Sequence, residues 1–243
     1  MVITGLGLKM SLRDCIDAKK LPLAFVTACQ NFSYGAVSIA RAHHVLNELS
    51  NYRNGDDMNA CAFHRILGDI HDIDVQYGEI MLDKAPSNPF PWVAGWSKLD
   101  PSRAPEGKHI LIIDTFVPSG LADGTSWADY VEAYAENVLL KVLRRHTTNM
   151  TNINILRAYY ETGVSLEAAN PAFVSRNTTG GERLLAQMGY MQTLPGCSQY
   201  KSPIPKLYMT GPSCQLGGEI AAMGTIAATV MLRNFGMPHR PMN

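Results

Sequence analysis

The chain has 243 residues, 46% of them hydrophobic, with 21 basic and 21 acidic side chains and no formal net charge. That is enough apolar material for a sizeable core in one or two domains. No basic stripe points to nucleic acid, and no charge block points to a disordered tail.

Val2 and Ile3, followed by Gly5-Leu6-Gly7, read as a flexible lead into a helix. No basic stretch with an apolar run and cleavage site marks a signal peptide. Five scattered cysteines, an odd number, fit a reducing compartment, so a cytoplasmic location is expected. Residues 11–49 read as mostly helical, broken at Pro22 and at Ser33-Tyr34-Gly35. Ser38 is placed to cap a helix in which Ile39, His43, Leu46 and Leu49 recur at helical spacing. Residues 51–57 form a turn by composition, and 59–67 read as a further helical stretch. Residues 87–92, with two prolines, are a stiffened loop.

The pattern of 109–118 predicts a strand. Ser126-Trp127-Ala128-Asp129 has capping-box form and opens a helix with Trp127, Tyr130, Val131, Tyr134, Val138 and Val142 on one face. Lys141, Arg144, Arg145 and His146 complement its C-terminal dipole. Residues 154–162 read as a strand, 165–170 as a short helical turn and 207–210 as a strand. A helix of small residues, among them Ala221, Ala222, Gly224, Ala227 and Ala228, follows. The longest apolar stretch, 220–232, is interrupted by Gly224 and falls short of the ~20 residues that span a bilayer. Strands mixed with helices, without regular alternation, predict an α+β (mixed α/β) chain.

The loop after 207–210 holds Gly211, Gly217 and Gly218. Glycines let backbone approach a bulky ligand closely. The free N–H groups at the helix start present partial positive charge there. The bland alternative is a packed strand–helix turn that binds nothing. Cys61-x-x-His64 with Asp69, His71 and Asp72, or the adjacent His43 and His44, match no zinc template, so no metal site is expected. There is no Gly-x-Ser-x-Gly for a serine nucleophile.

The segment from Lys206 to Leu232 is similar to the C-terminal flavin-binding stretch of phytoene desaturase-like (carotenoid desaturase/ketolase-type) FAD-dependent oxidoreductases. A second match is Asp100-Pro101, Ala104-Pro105 and Gly107-Lys108-His109 leading into a strand, and a third is Tyr200-Lys201-Ser202-Pro203. The likeness runs over about 40–232 and covers that family's C-terminal half. It implies a substrate domain of mixed sheet and helices over 1–200, which also contacts a partner. Residues 201–243 then complete a FAD-binding domain.

By the same resemblance Gly217, Gly218, Glu219 and Ile220 lie beside the isoalloxazine, with Gly211 and Pro212 near the ribityl chain. Hydride passes from a C–H bond of a largely apolar, cyclic or terpenoid-like substrate to flavin N5. Glu219, Tyr200, His109 and Tyr190 are the candidate acid–base groups. The family's N-terminal Gly-x-Gly-x-x-Gly turn has one counterpart, Gly5-Leu6-Gly7, with Met10 at the third position. A Rossmann unit on a second protein chain is therefore expected to grip the pyrophosphate. Glu219 stands where many family members have glycine, and Gln215-Leu216 where they have His-Pro. The rival reading is a non-catalytic subunit that keeps the fold without FAD.

Overall fold

The computed structural model describes residues 2–215 and 222–238. In chain order these form β1 (Val2–Thr4), α1 (Leu8–Asp14), α2 (Leu23–Asn31), β2 (Val37–Leu46), α3 (Asp56–Ala60), β3 (Phe63–Arg65), α4 (Ile70–Met81) and β4 (Trp92–Ala94). Then come β5 (His109–Pro118), α5 (Trp127–Tyr134), a π-helical turn (Ala135–Leu139), α6 (Leu140–His146), β6 (Ile155–Thr162), α7 (Gly163–Ala169), β7 (Leu207–Met209) and α8 (Ala222–Asn234). The chain is mixed α and β, and divides into two compact units, 36–166 and 1–35 with 167–243. Residues from 201 onward thus share a unit with 1–35 and 167–200.

The unit 36–166 is an antiparallel sheet in the order β3-β4-β5-β2-β6. β2 lies inside it, paired with β5 from Val37↔Pro118 to Leu46↔His109 and with β6 on its other side. This corrects the helix expected over 38–49. The fully buried positions are Ala40, Ala42, His44 and Leu46, a strict period of two. Two alanines and a histidine are weak apolar markers, whereas Ile39, His43 and Leu46 mimic a helical stripe. Two neighbouring strands satisfy the backbone of β2, and that decides the conformation.

The strand expected at 109–118 and the helix opening at Trp127 are present. Ser126 Oγ accepts from Ala128 N at 3.2 Å. α5, the π turn and α6 lay Trp127, Val131, Tyr134, Ala135, Leu139, Leu140 and Leu143 against Ala40, Ala42, Leu46, Leu111, Ile113 and Val117. Trp127 Nε1 donates to Pro118 O at 2.7 Å and Tyr134 Oη to Pro86 O at 2.9 Å, so neither aromatic buries an unpaired donor. The helical stretch expected at 59–67 is instead the end of α3 followed by strand β3. α4 was not legible as a helix; Asp69 and Asp72 form its capping box.

The other unit has a two-stranded parallel sheet, with Val2↔Leu207, Ile3↔Tyr208 and Thr4↔Met209. The expected flexible lead is therefore a strand, held by the backbone of 206–210. Leu8, Phe25, Cys29, Phe32, Tyr34, Leu194, Cys197, Met209 and Ala227 form its core. The irregular stretch 170–206 is organised by side chains. Asn177 donates from Nδ2 to Tyr34 O and accepts on Oδ1 from Thr179 N and Gly181 N. Gly181 has φ +152°, and a Cβ there would lie 2.5 Å from Phe32 Cζ, so only glycine fits.

Candidate functional site

β1 and β7 run side by side in the same direction and each ends at a glycine, Gly5 and Gly211. Thr210 N donates to Thr4 O at 2.9 Å, which carries the pairing to the strand ends. Gly211 has φ +99°, and a Cβ on it would sit 3.0 Å from Gly5 O. The two turns are in backbone contact because position 211 has no side chain. Ligands of open parallel sheets bind outside the carboxyl ends of the strands, where these turns lie.

The turn after Gly211 is tied from three sides. Cys214 N donates to Gly211 O at 2.9 Å. Ser213 Oγ donates to Gly180 O at 2.7 Å, and Tyr200 Oη to Gln215 O at 3.1 Å. Pro212 is exposed at its tip. Alongside β1 runs a groove of about 680 Å³ lined by Val2, Ile3, Thr4, Leu6, Ser11 and Ile204, among others. That volume is within the roughly 300–1,000 Å³ of small-molecule sites. The described residues thus set a turn that requires glycine at position 211 at the ends of two parallel strands. Gly217, Gly218, Glu219 and Ile220 lie outside the described residues.

The other expected site residues are placed as follows. Tyr200 is buried with φ +61°, and burial, then the neighbouring Cys214, raise its hydroxyl pKa. Its hydroxyl is spent on Gln215 O, which makes it a support of the loop. Tyr190 is 73% exposed in a 3-10 turn. His109 opens β5 in the 36–166 unit, its Nδ1 3.5 Å from Ser97 Oγ. Tyr190 and Tyr200 belong to the other unit.

The histidine pair takes on a different meaning on a strand, where successive side chains face opposite ways. His44 enters the core at 0% exposure, with neither ring nitrogen hydrogen-bonded. Its Nε2 lies 3.9 Å from Glu136 Oε1, which accepts from Tyr160 Oη at 2.9 Å. Burial lowers the His44 pKa, and Glu136 opposes that only partly. His43 faces the other way and bonds from Nε2 to Glu161 Oε2 at 2.7 Å. Arg41, two residues earlier on the same face, donates from Nε and Nη2 to Asp114 Oδ2. Sequence reading missed this cluster, since its members come from three strands and meet only through register. Among the described residues no group of three or more His, Cys, Asp or Glu is placed to hold a metal ion.

No family model matches the chain. It is 27% identical to a subunit of the limonene dehydrogenase of Castellaniella defragrans, over 96% of this chain and 43% of that protein. It is 29% identical to pyridine nucleotide-disulfide oxidoreductase domain-containing protein 2 of Mus musculus, over 57% of this chain and 24% of that one. A solved oxidoreductase of Methanosarcina mazei covers 97% of this chain and 42% of its own, at 12% identity and a TM-score of 0.45. The relatives are thus named as oxidoreductases, and the chain spans less than half the length of each. No helix among the described residues is long and apolar enough to cross a membrane.

Proposed function

We propose that these residues form part of a FAD-dependent oxidoreductase subunit of the phytoene desaturase-like kind, acting on adjacent C–H bonds of a largely apolar substrate. In this reading a partner chain supplies the pyrophosphate-gripping Rossmann half, which the likeness to one subunit of a dehydrogenase supports. The observation that carries this reading is the meeting of Gly5 and Gly211 at the ends of two parallel strands. It supplies a turn in which position 211 has no room for a side chain, followed in sequence by a stretch that resembles a flavin-binding one. The similarity to a dehydrogenase subunit, over nearly the whole chain, supports the same reaction class.

Within that reading the chain's own residues bind and orient. Gly211 lets the turn pass close to β1. Ser213 and Tyr200 hold the turn as far as Gln215. By the resemblance in sequence, Gly217, Gly218, Glu219 and Ile220 would border the flavin ring. Flavin, when bound, supplies the electron sink for the hydride. The name of the dehydrogenase relative makes limonene the first substrate to try.

The experiment is co-expression with a candidate partner carrying Gly-x-Gly-x-x-Gly, followed by measurement of flavin content. The intact pair is expected to be yellow, and Gly218→Trp to lose flavin while the pair still forms. A pair that retains flavin with Trp in place of Gly218 contradicts the contact. A colourless wild-type pair supports a non-catalytic subunit.

A further inference from the structure

Charge is balanced on one surface of the 36–166 unit and unbalanced on another. On the open face of the sheet Arg65, Trp92, Asp114, Arg41 and Glu161 are register partners in succession across all five strands. Arg41 in that row pairs with both Asp114 and Glu161. α4 has no such balance. Between Asp69 and Lys84 the chain sets Asp69, Asp72, Asp74, Glu79 and Asp83 against Lys84 as the one lysine or arginine. This acidic run stands in a chain with no formal net charge.

The apolar residues of α4 are also on the unexpected side. A surface helix ordinarily turns its apolar stripe to the core. The buried residues of α4 are Gln76 and Ile80. Gln76 Nε2 donates to Thr115 Oγ1 at 3.2 Å and to Phe116 O at 3.3 Å, and its Oε1 accepts from Phe90 N at 3.0 Å. One buried amide thus fixes the helix where apolar side chains usually do so. Ile70, Ile73, Tyr77 and Met81 recur at helical spacing and form one stripe. All four are exposed, Ile70 at 79% and Tyr77 at 61%. Single exposed apolar side chains are ordinary, whereas a continuous stripe over the length of a helix marks a contact surface.

We propose that α4 is where the partner chain docks, and that the partner receives it in an apolar groove rimmed by lysine and arginine side chains. The inference rests on the reading of the chain as one subunit of an assembly and names the surface that this reading lacks. Charge selects the occupant. A second copy would meet the first through the same patch in a closed dimer and set the same acids against one another. Like charges across an interface disfavour that contact. An anionic membrane surface repels these acids as well. A basic-rimmed groove attracts them and takes Ile70, Ile73 and Tyr77 as its i, i+3 and i+7 anchors. The apolar stripe then supplies affinity, and Asp74 and Asp83 beside it supply the rate of encounter and the choice of partner.

The test uses the native pair, isolated through a tag on this chain and then separated and reassembled. Tyr77→Asp is expected to weaken the pair by about 10–100-fold, the effect of losing an interface anchor. Asp74→Lys should slow association and reduce its dependence on salt. Glu106→Lys, the same charge change in a loop of the same unit, should alter neither. All three positions are exposed, so the fold is kept, which circular dichroism checks. Zero-length carbodiimide coupling should join Asp74 or Asp83 to lysines of the partner. Pairing by Tyr77→Asp at wild-type strength overturns the proposal. So do an assembly without a second polypeptide, and α4 cross-links that run only to a second copy or to another part of this chain. Binding to phosphatidylcholine vesicles that Tyr77→Asp abolishes, with the pair intact, assigns the stripe to a membrane and overturns it too. A pair that docks through α4 and holds no flavin keeps the docking surface and defeats the oxidoreductase reading, so the two failures are told apart.

Discussion

Asp114 accepts two hydrogen bonds from Arg41 directly across the β2–β5 pair, from Nε at 2.9 Å and Nη2 at 2.7 Å. The same carboxylate faces Trp92 on its other side, and the Arg65 guanidinium stacks over that indole at 3.6 Å from the ring centre. Burial lowers the Arg65 pKa, and Asp114 counteracts it. One carboxylate therefore serves two guanidinium groups on a half-buried sheet face. Asp114→Ala is expected to cost about 1.5–3 kcal/mol, the range for hydrogen bonds to charged groups. Urea denaturation of the two proteins checks the figure; equal midpoints would show that the row carries no stability.

His44 predicts a pH dependence. Burial disfavours its charged form, so the folded chain binds this proton more weakly than the unfolded chain, whose histidine titrates near 6.5. The stability associated with the neutral ring is complete above that value and is lost as pH falls below it. The slope reaches up to ~1.4 kcal/mol per pH unit. His44→Leu should flatten the decline in unfolding free energy between about pH 7 and pH 5. A parallel curve for the variant contradicts this.

The thiols divide into two classes. Cys29, Cys197 and Cys214 are buried in the core of the 1–35/167–243 unit, and Cys15 and Cys61 are exposed. Burial, then the neighbouring Cys197, push the Cys29 thiol up to about 12, and burial and Cys214 push Cys197 up to about 11. The thiolate is the reactive form. In the folded chain a thiol reagent should modify two cysteines rapidly and the rest only on unfolding, which a mass-spectrometric time course reads directly.

Gly211→Ala combines a φ of +99° with a Cβ placed 3.0 Å from Gly5 O. The backbone of β1 has to give way, at about 1–3 kcal/mol for the strained conformation alone. Hydrogen exchange should rise at Thr210 N, which bonds Thr4 O, while β2 and β5 keep their protection.

Leu139 lies at the centre of the 36–166 core, fully buried on the π-helical turn. Leu139→Ala is expected to cost about 2–5 kcal/mol through lost burial and a residual cavity, measurable by chemical denaturation. A smaller loss would mean that the π turn relaxes into the space.

Long, strongly patterned elements were readable from sequence. β5 is rich in β-branched residues, and Trp127, Val131, Tyr134, Val138 and Val142 keep one helical face into α6. β2 was not readable, because its inner face carries Ala40, Ala42 and His44 and its outer face holds Arg41 and His43. α4 hid its start in Asp69 and Asp72, two acids that look like a polar loop until they bond to each other's backbone. The turn at Gly211 was visible because glycine spacing is local. The row from Arg65 to Glu161 was not, because sheet register is a property of five strands together and no single segment contains it.

The most direct test isolates the native assembly through a tag on this chain and identifies what small molecule denaturation releases. The account predicts FAD, released in proportion to this chain together with a second polypeptide. An assembly of this chain that is colourless and releases no flavin contradicts it.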